Sequence, residues 1–128
     1  MSPMLNQPDW LDERDELDAL RAAPRYHALL FENEFVRVLD TRVPPGQTVP
    51  LNTHRWPSAR DTLRWGDFGR RDGEGATVGD SRITGKIPPE SALWSGPLPP
   101  HTLENVGAHE LRAISIELAA TCRTGTAV

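Results

Sequence analysis

Gly46-Gln47-Thr48-Val49-Pro50-Leu51-Asn52-Thr53-His54 follows the turn-forming pair Pro44-Pro45 and ends on two polar side chains one residue apart. On a β-strand, residues two positions apart face the same side, so Asn52 and His54 are expected to look into one cavity. A second polar cluster, His101-Thr102-Leu103-Glu104-Asn105, again follows a proline-rich stretch. Two such clusters in a β-rich chain point to one convergent site. They locate chemistry without specifying the reaction.

These stretches resemble the two motifs of the cupin superfamily, G-x5-H-x-H-x4-E-x6-G and a second motif ending in H-x3-N. Here the first reads Gly46-x5-Asn52-x-His54-x4-Ala59-x6-Gly66, with each spacing kept. The second survives as His101-x3-Asn105, with its lead-in replaced by Gly96-Pro97-Leu98-Pro99-Pro100. The resemblance covers roughly residues 28–120. It implies an all-β, RmlC-like jelly roll, the double-stranded β-helix barrel. It also implies a metal position, because cupins hold a divalent ion with two histidines and a glutamate from the first motif and a histidine from the second. Those positions carry Asn52, His54, Ala59 and His101 here. Alanine offers no ligand, and a neutral amide oxygen replaces imidazole poorly on a transition metal. The expected cofactor is therefore none, or one divalent ion held by His54, His101 and Asn52.

If Ala59 faces inward like the glutamate it replaces, alternation sends Asp61, Leu63 and Trp65 inward and Arg60, Thr62 and Arg64 outward. An inward Asp61 among apolar neighbours must pair, ligate a cation, or shift its pKa upward by desolvation. The expected site is thus His54, Asp61 and His101 as catalytic groups, with Asn52, Trp56 and Trp65 against substrate. Plainer roles exist for each. Asp61 suits a salt bridge, His101 a turn whose loop is capped by Asn105, and Asn52 a polar strand edge. Trp56, beside Pro57, either lines the pocket mouth or covers a barrel edge, while Trp65 and Trp94 also read as core. His27 and His109 fall in predicted turns and read as solvated. Alternation does not orient Glu117 within Leu111–Leu118.

A chain of 128 residues with 12 prolines and 10 glycines suits a single turn-dense domain of short strands. Strands are predicted at Ala28–Phe31, Phe35–Val43, Val49–His54, Ala59–Trp65, Phe68–Arg71, Ala76–Asp80, Ser91–Trp94, Thr102–Asn105 and Glu110–Leu118, with a hairpin at Asp72-Gly73-Glu74-Gly75. Three segments follow: an acidic helical stretch over 1–24, the barrel over 25–120 and a tail over 121–128. In the first, Pro8, the early acids, Arg21 and Pro24 suggest a helix from Asp9 to Ala22. Its six acids stand against only Arg14 and Arg21, whereas the rest of the chain balances twelve acids with twelve bases. No basic stripe exists to neutralise phosphates, so nucleic acid is not an expected partner. The acidic N-terminal stretch disfavours anionic membranes. No apolar run reaches membrane-spanning length, and no basic-then-apolar leader pattern opens the chain. The single Cys122 excludes an internal disulfide and reads as a solvated thiol, and the expected location is the cytoplasm.

Three functions fit this reading. The first is an enzyme of the isomerase, cyclase or lyase sort, moving protons on a small organic molecule. The second is a metal-dependent cupin with an altered ligand set, oxidative or Lewis-acidic in chemistry. The third is a non-catalytic small-molecule binder. A homodimer is the expected assembly.

Overall fold

The structure is a computed structural model, and it describes residues 16–85 and 91–119. Within them the chain runs α1 (Ala19–Ala22), β1 (His27–Glu32), β2 (Val36–Val43), β3 (Thr48–His54), β4 (Ser58–Arg64), β5 (Phe68–Asp72), β6 (Thr77–Asp80), α2 (Ser81–Thr84), β7 (Ser91–Ser95), β8 (Leu98–Asn105) and β9 (Leu111–Leu118). The strands form two antiparallel sheets, ordered β1-β2-β9-β4-β7 and β3-β8-β5-β6. Each predicted strand is present within a residue at either end, except that β8 begins at Leu98 instead of Thr102. The predicted hairpin joins β5 to β6. There Asp72 Oδ1 accepts from the amides of Glu74 and Ala76, and Gly75 supplies the positive φ of 86°.

The inner face of the larger sheet is built in cross-strand rows. Arg37, Glu117 and Ser58 form one, Leu39, Ser115 and Arg60 the next, and His27, Thr41, Ala113 and Thr62 a third. The alternation therefore differs from expectation at β4. Ser58 and Thr62 are buried, Arg60 points inward, and Ala59, Asp61 and Leu63 are exposed. The cause lies in the preceding turn. Trp56 and Pro57 are buried there, and the Pro57 carbonyl accepts from the Leu118 amide at 2.9 Å, which seats Ser58 opposite Glu117. A one-residue change of register sends every following side chain to the other face. Asp61 consequently sits on the outside of the barrel.

Apolar side chains fill the end of the barrel below the site. Val43, Val49, Phe68, Leu103 and Leu111 pack with Ala23, and Tyr26 and Trp65 lean on them. Each such large side chain contributes about 1.5–3 kcal/mol on burial. Trp56 lies elsewhere, 1% exposed, against Ala119 and with the Arg37 guanidinium 4.7 Å from its ring. It is a buried prop and does not form the pocket mouth. Trp94, expected to be core, is 64% exposed on the outer face. That face carries an apolar row across all five strands: Phe31, Val38, Ile116, Ala59 and Trp94.

Among the described residues, the predicted Asp9–Ala22 helix is helical only over Ala19–Ala22. Asp18 has φ −52° and ψ 141°, so it caps α1 from outside, accepting from the Leu20 amide, and the helix does not run through it. Residues 9–15 of the predicted Asp9–Ala22 helix, like Cys122, lie outside the described residues, and Glu16 and Leu17 form a turn. Asp18 forms a parallel bridge with Thr53, and the Thr53 amide donates to the Leu17 carbonyl at 2.7 Å. Among the described residues, no helix is long and apolar enough to cross a membrane.

Candidate functional site

Two β-bulges aim the motif residues. Between the Val49–Leu103 and Asn52–His101 pairs, β3 uses one more residue than β8; between Asn52–His101 and His54–Leu98 the excess passes to β8. The extra residues fall at Pro50-Leu51 and Pro99-Pro100, where prolines belong because a bulge relieves them of ladder hydrogen bonds. The result turns Val49, Asn52, His54, Leu98, His101 and Leu103 into one pocket, completed by His27, Arg60, Trp65, Arg70 and Ser115 among others. Its atom-free space, open mouth included, is about 420 Å³.

Three imidazoles meet there. The His27 and His54 ring centroids are 5.3 Å apart, and those of His54 and His101 are 5.9 Å apart. Each ring has Nδ1 against an acceptor: the Ala23 carbonyl at 3.0 Å for His27, Glu117 Oε2 at 2.7 Å for His54, and the Pro99 carbonyl at 2.8 Å for His101. A carbonyl or carboxylate oxygen cannot donate, so Nδ1 carries the hydrogen and, in the neutral ring, Nε2 keeps its lone pair. Burial, reinforced by the charge on His54, lowers the His27 pKa to about 4. Burial also lowers His101 to about 4, aided by the positive charges of Arg70, His54 and Arg60 and opposed by the Pro99 hydrogen bond. Both rings are neutral at pH 7. His27 is thus a buried pocket residue and not the solvated turn histidine its neighbours suggested, whereas His109 is exposed as expected.

Behind His54 runs a buried chain of charge. Glu117 is fully buried, and Arg37, 2% exposed, donates from Nε to Glu117 Oε1 at 2.8 Å. Arg37 also grips both oxygens of Asp18, at 3.1 and 2.9 Å. Burial alone would raise the Glu117 carboxyl, but the His54 hydrogen bond and the charges of His54 and Arg37 outweigh it and hold the pKa below the ordinary value. Glu117 therefore points inward, on the small and polar face of β9, with Ile116 outside. Its strand alternates on the isoleucines, and this disguised the inner face.

Asn52, 1% exposed, donates to the Pro50 carbonyl at 2.8 Å and leaves Oδ1 buried without a partner. Asn105 donates to the carbonyls of Val43 and His109 and accepts from the Gly107 amide, so it holds a loop, as the plainer reading had it. Trp65 lines the pocket, edge-on to Phe68 with ring centroids 5.7 Å apart. Of the expected catalytic groups, His54 and His101 share this pocket and Asp61 does not.

The metal set implied by the motif does not fit these residues. Among the described residues, no group of three or more His, Cys, Asp or Glu side chains is arranged to hold a metal ion. The glutamate position holds the outward methyl of Ala59, and the Arg60 and Arg70 guanidiniums enter where a cation would need carboxylates.

Solved structures share this architecture. A cupin domain from Bordetella pertussis Tohama I superimposes with a TM-score of 0.62 at 21% identity, over 73% of this chain and 92% of that one. An RmlC-like cupin family protein from Methanocaldococcus jannaschii matches with a TM-score of 0.54 at 9% identity, covering 78% and 84% of the two chains. The polyketide cyclase RemF from Streptomyces resistomycificus matches with a TM-score of 0.52 at 16% identity, covering 85% and 75%. Neither a protein-family model nor a curated protein sequence matches the chain. The fold is the cupin double-stranded β-helix.

Proposed function

We propose that this protein is a small-molecule enzyme that moves protons in its barrel pocket, of the isomerase, cyclase or lyase class, with His54 as the base. The observation that carries this reading is the 2.7 Å contact of His54 Nδ1 with Glu117 Oε2. Glu117 is fixed by Arg37, so the ring is held in one tautomer, and Nε2 is left for substrate. When Nε2 takes a proton from a C–H or O–H group, the adjacent carboxylate offsets the charge gained by the ring. The same proton returns to a different substrate atom, and no oxidant or reductant is consumed. One positioned base of this kind contributes about 10²–10⁴-fold. His101 is proposed to accept a hydrogen bond from a substrate hydroxyl, and Asn52 to orient substrate through its unpartnered Oδ1.

RemF, a polyketide cyclase, shows that this fold hosts a cyclase, and cyclisation by enolate attack is among the reactions a histidine base can begin. The test is proton exchange in D2O with a panel of enolisable ketones, keto acids and phenols, followed by NMR. Exchange that depends on the protein and falls about a hundredfold in His54→Gln is the expected result. If no compound exchanges while some bind, the protein is a binder and not a catalyst. A homodimer joined through the Phe31–Trp94 face is part of the same proposal, supported by exposures of 52% for Phe31 and 64% for Trp94. A single-chain mass in sedimentation would refute it.

A further inference from the structure

Proton transfer by His54 leaves the two pocket arginines without a role. Arg60 enters from β4 of one sheet and Arg70 from β5 of the other, and both line the cavity. Arg37, Arg42, Arg64, Arg82 and Arg112 each donate to a carboxylate. Arg60 and Arg70 have no hydrogen bond to a partner among the described residues, and Arg70 Nε is buried without an acceptor. Burial and the charge of Arg60 bring the Arg70 pKa down only to about 10, so it stays charged at neutral pH. Two like charges sharing a half-buried cavity are costly, and among the described residues only the charge of Glu117 on Arg60 and the Phe68 ring, 5.7 Å from the Arg70 guanidinium, offset part of that cost.

Counting charge around the pocket gives the sign of what is missing. Arg37, Arg60 and Arg70 face Asp18 and Glu117, and both carboxylates are already engaged by Arg37 and His54. With His27 and His101 neutral, the balance is left positive. A planar carboxylate matches guanidinium geometry and supplies the missing negative charge. Val49, Leu98 and Leu103 offer apolar contact beside it.

We propose that Arg60 and Arg70 form a subsite for the carboxylate of a small organic acid whose apolar body lies on Val49, Leu98 and Leu103. This rests on reading the pocket as the small-molecule site, and it does not require His54 to transfer a proton.

The test is calorimetric titration of the full chain at pH 7 with acetate, benzoate and cinnamate, their three primary amides, and inorganic phosphate. At least one acid binds, and its amide binds about tenfold more weakly or worse, since a charge-assisted hydrogen bond is lost. Arg60→Gln and Arg70→Gln each weaken that acid about tenfold and leave the amide unchanged. The comparison of acid with amide uses the unaltered protein, so it stands even if a variant misfolds. Acids and amides binding alike, no acid binding, or phosphate binding more tightly than every acid would each overturn the assignment. Because no turnover is measured, this result and the D2O exchange result fail independently.

Discussion

His54 Nδ1 lies 2.7 Å from Glu117 Oε2, and the two residues come from opposite sheets, β3 and β9. One bond therefore joins the halves of the barrel and sets the orientation of the proposed base. Stability and chemistry are coupled at this contact.

Glu117→Gln should expose that coupling. The change strips a buried counter-charge from Arg37 and puts an amide against the His54 ring. Loss of one partner from a buried charge pair costs about 3–5 kcal/mol. Urea denaturation should show a loss in that range, together with impaired proton exchange. A loss below about 1 kcal/mol would mean that the Arg37–Glu117–His54 arrangement carries little of the fold.

Acid should destabilise the protein through His27 and His101. Both have folded pKa values of about 4 against 6.5 for the free side chain, so between those values the unfolded chain binds more protons. Their contribution is complete above pH 6.5 and is lost as pH falls to about 4, on the order of 3 kcal/mol for each ring. The groups around them are consistent with this direction: Ala23, His54, Glu117 and Asp18 for His27, and Pro99, Arg70, His54 and Arg60 for His101. Chemical denaturation at a series of pH values checks it. His27→Gln should flatten part of the slope.

Arg70→Met should make the unliganded protein more stable, by about 1 kcal/mol, because it removes an unpaired charge and fills the same space with apolar atoms. Thermal unfolding without ligand is the measurement. A fall in Tm would mean that the contact with the Phe68 ring, 5.7 Å from the Arg70 guanidinium, outweighs the cost of the buried charge.

Asp61→Asn should change nothing. Its side chain is exposed on the outer face, where substitutions alter stability by no more than about 0.5 kcal/mol. Exchange rates and urea midpoints equal to those of the unaltered protein are expected, and a large loss of turnover would place Asp61 back in the mechanism.

The fold was readable because its determinants are local. Strands, turns and the spacing from Gly46 to Gly66 show in short windows, and His54 and His101 were found by the same local spacing. The rest of the site depends on parity. Alternation from an inward Ala59 put Arg60 outside, whereas the Pro57–Leu118 hydrogen bond turns β4 over and brings it in. Glu117 was hidden because Ile114, Ile116 and Leu118 make an obvious apolar face, and that face is the outer one. Its partner Arg37 is 80 residues away in the chain, so no local window links them. His27 reads as a turn residue after Pro24, and only its register opposite Thr41 brings it to the pocket.

Asp18 precedes the first strand, yet it is wired to the pocket through Arg37 and Glu117. The strap at Leu17 and Asp18 is held to the barrel beside Thr53, one residue from His54. Cutting the chain after Asp18 would spare every strand and still leave Arg37 with one anion in place of two. Anything that peels this strap away, whether a fusion or a bound protein, would change the electric field at His54 without entering the cavity. The pocket has a remote handle, and it lies outside both sheets.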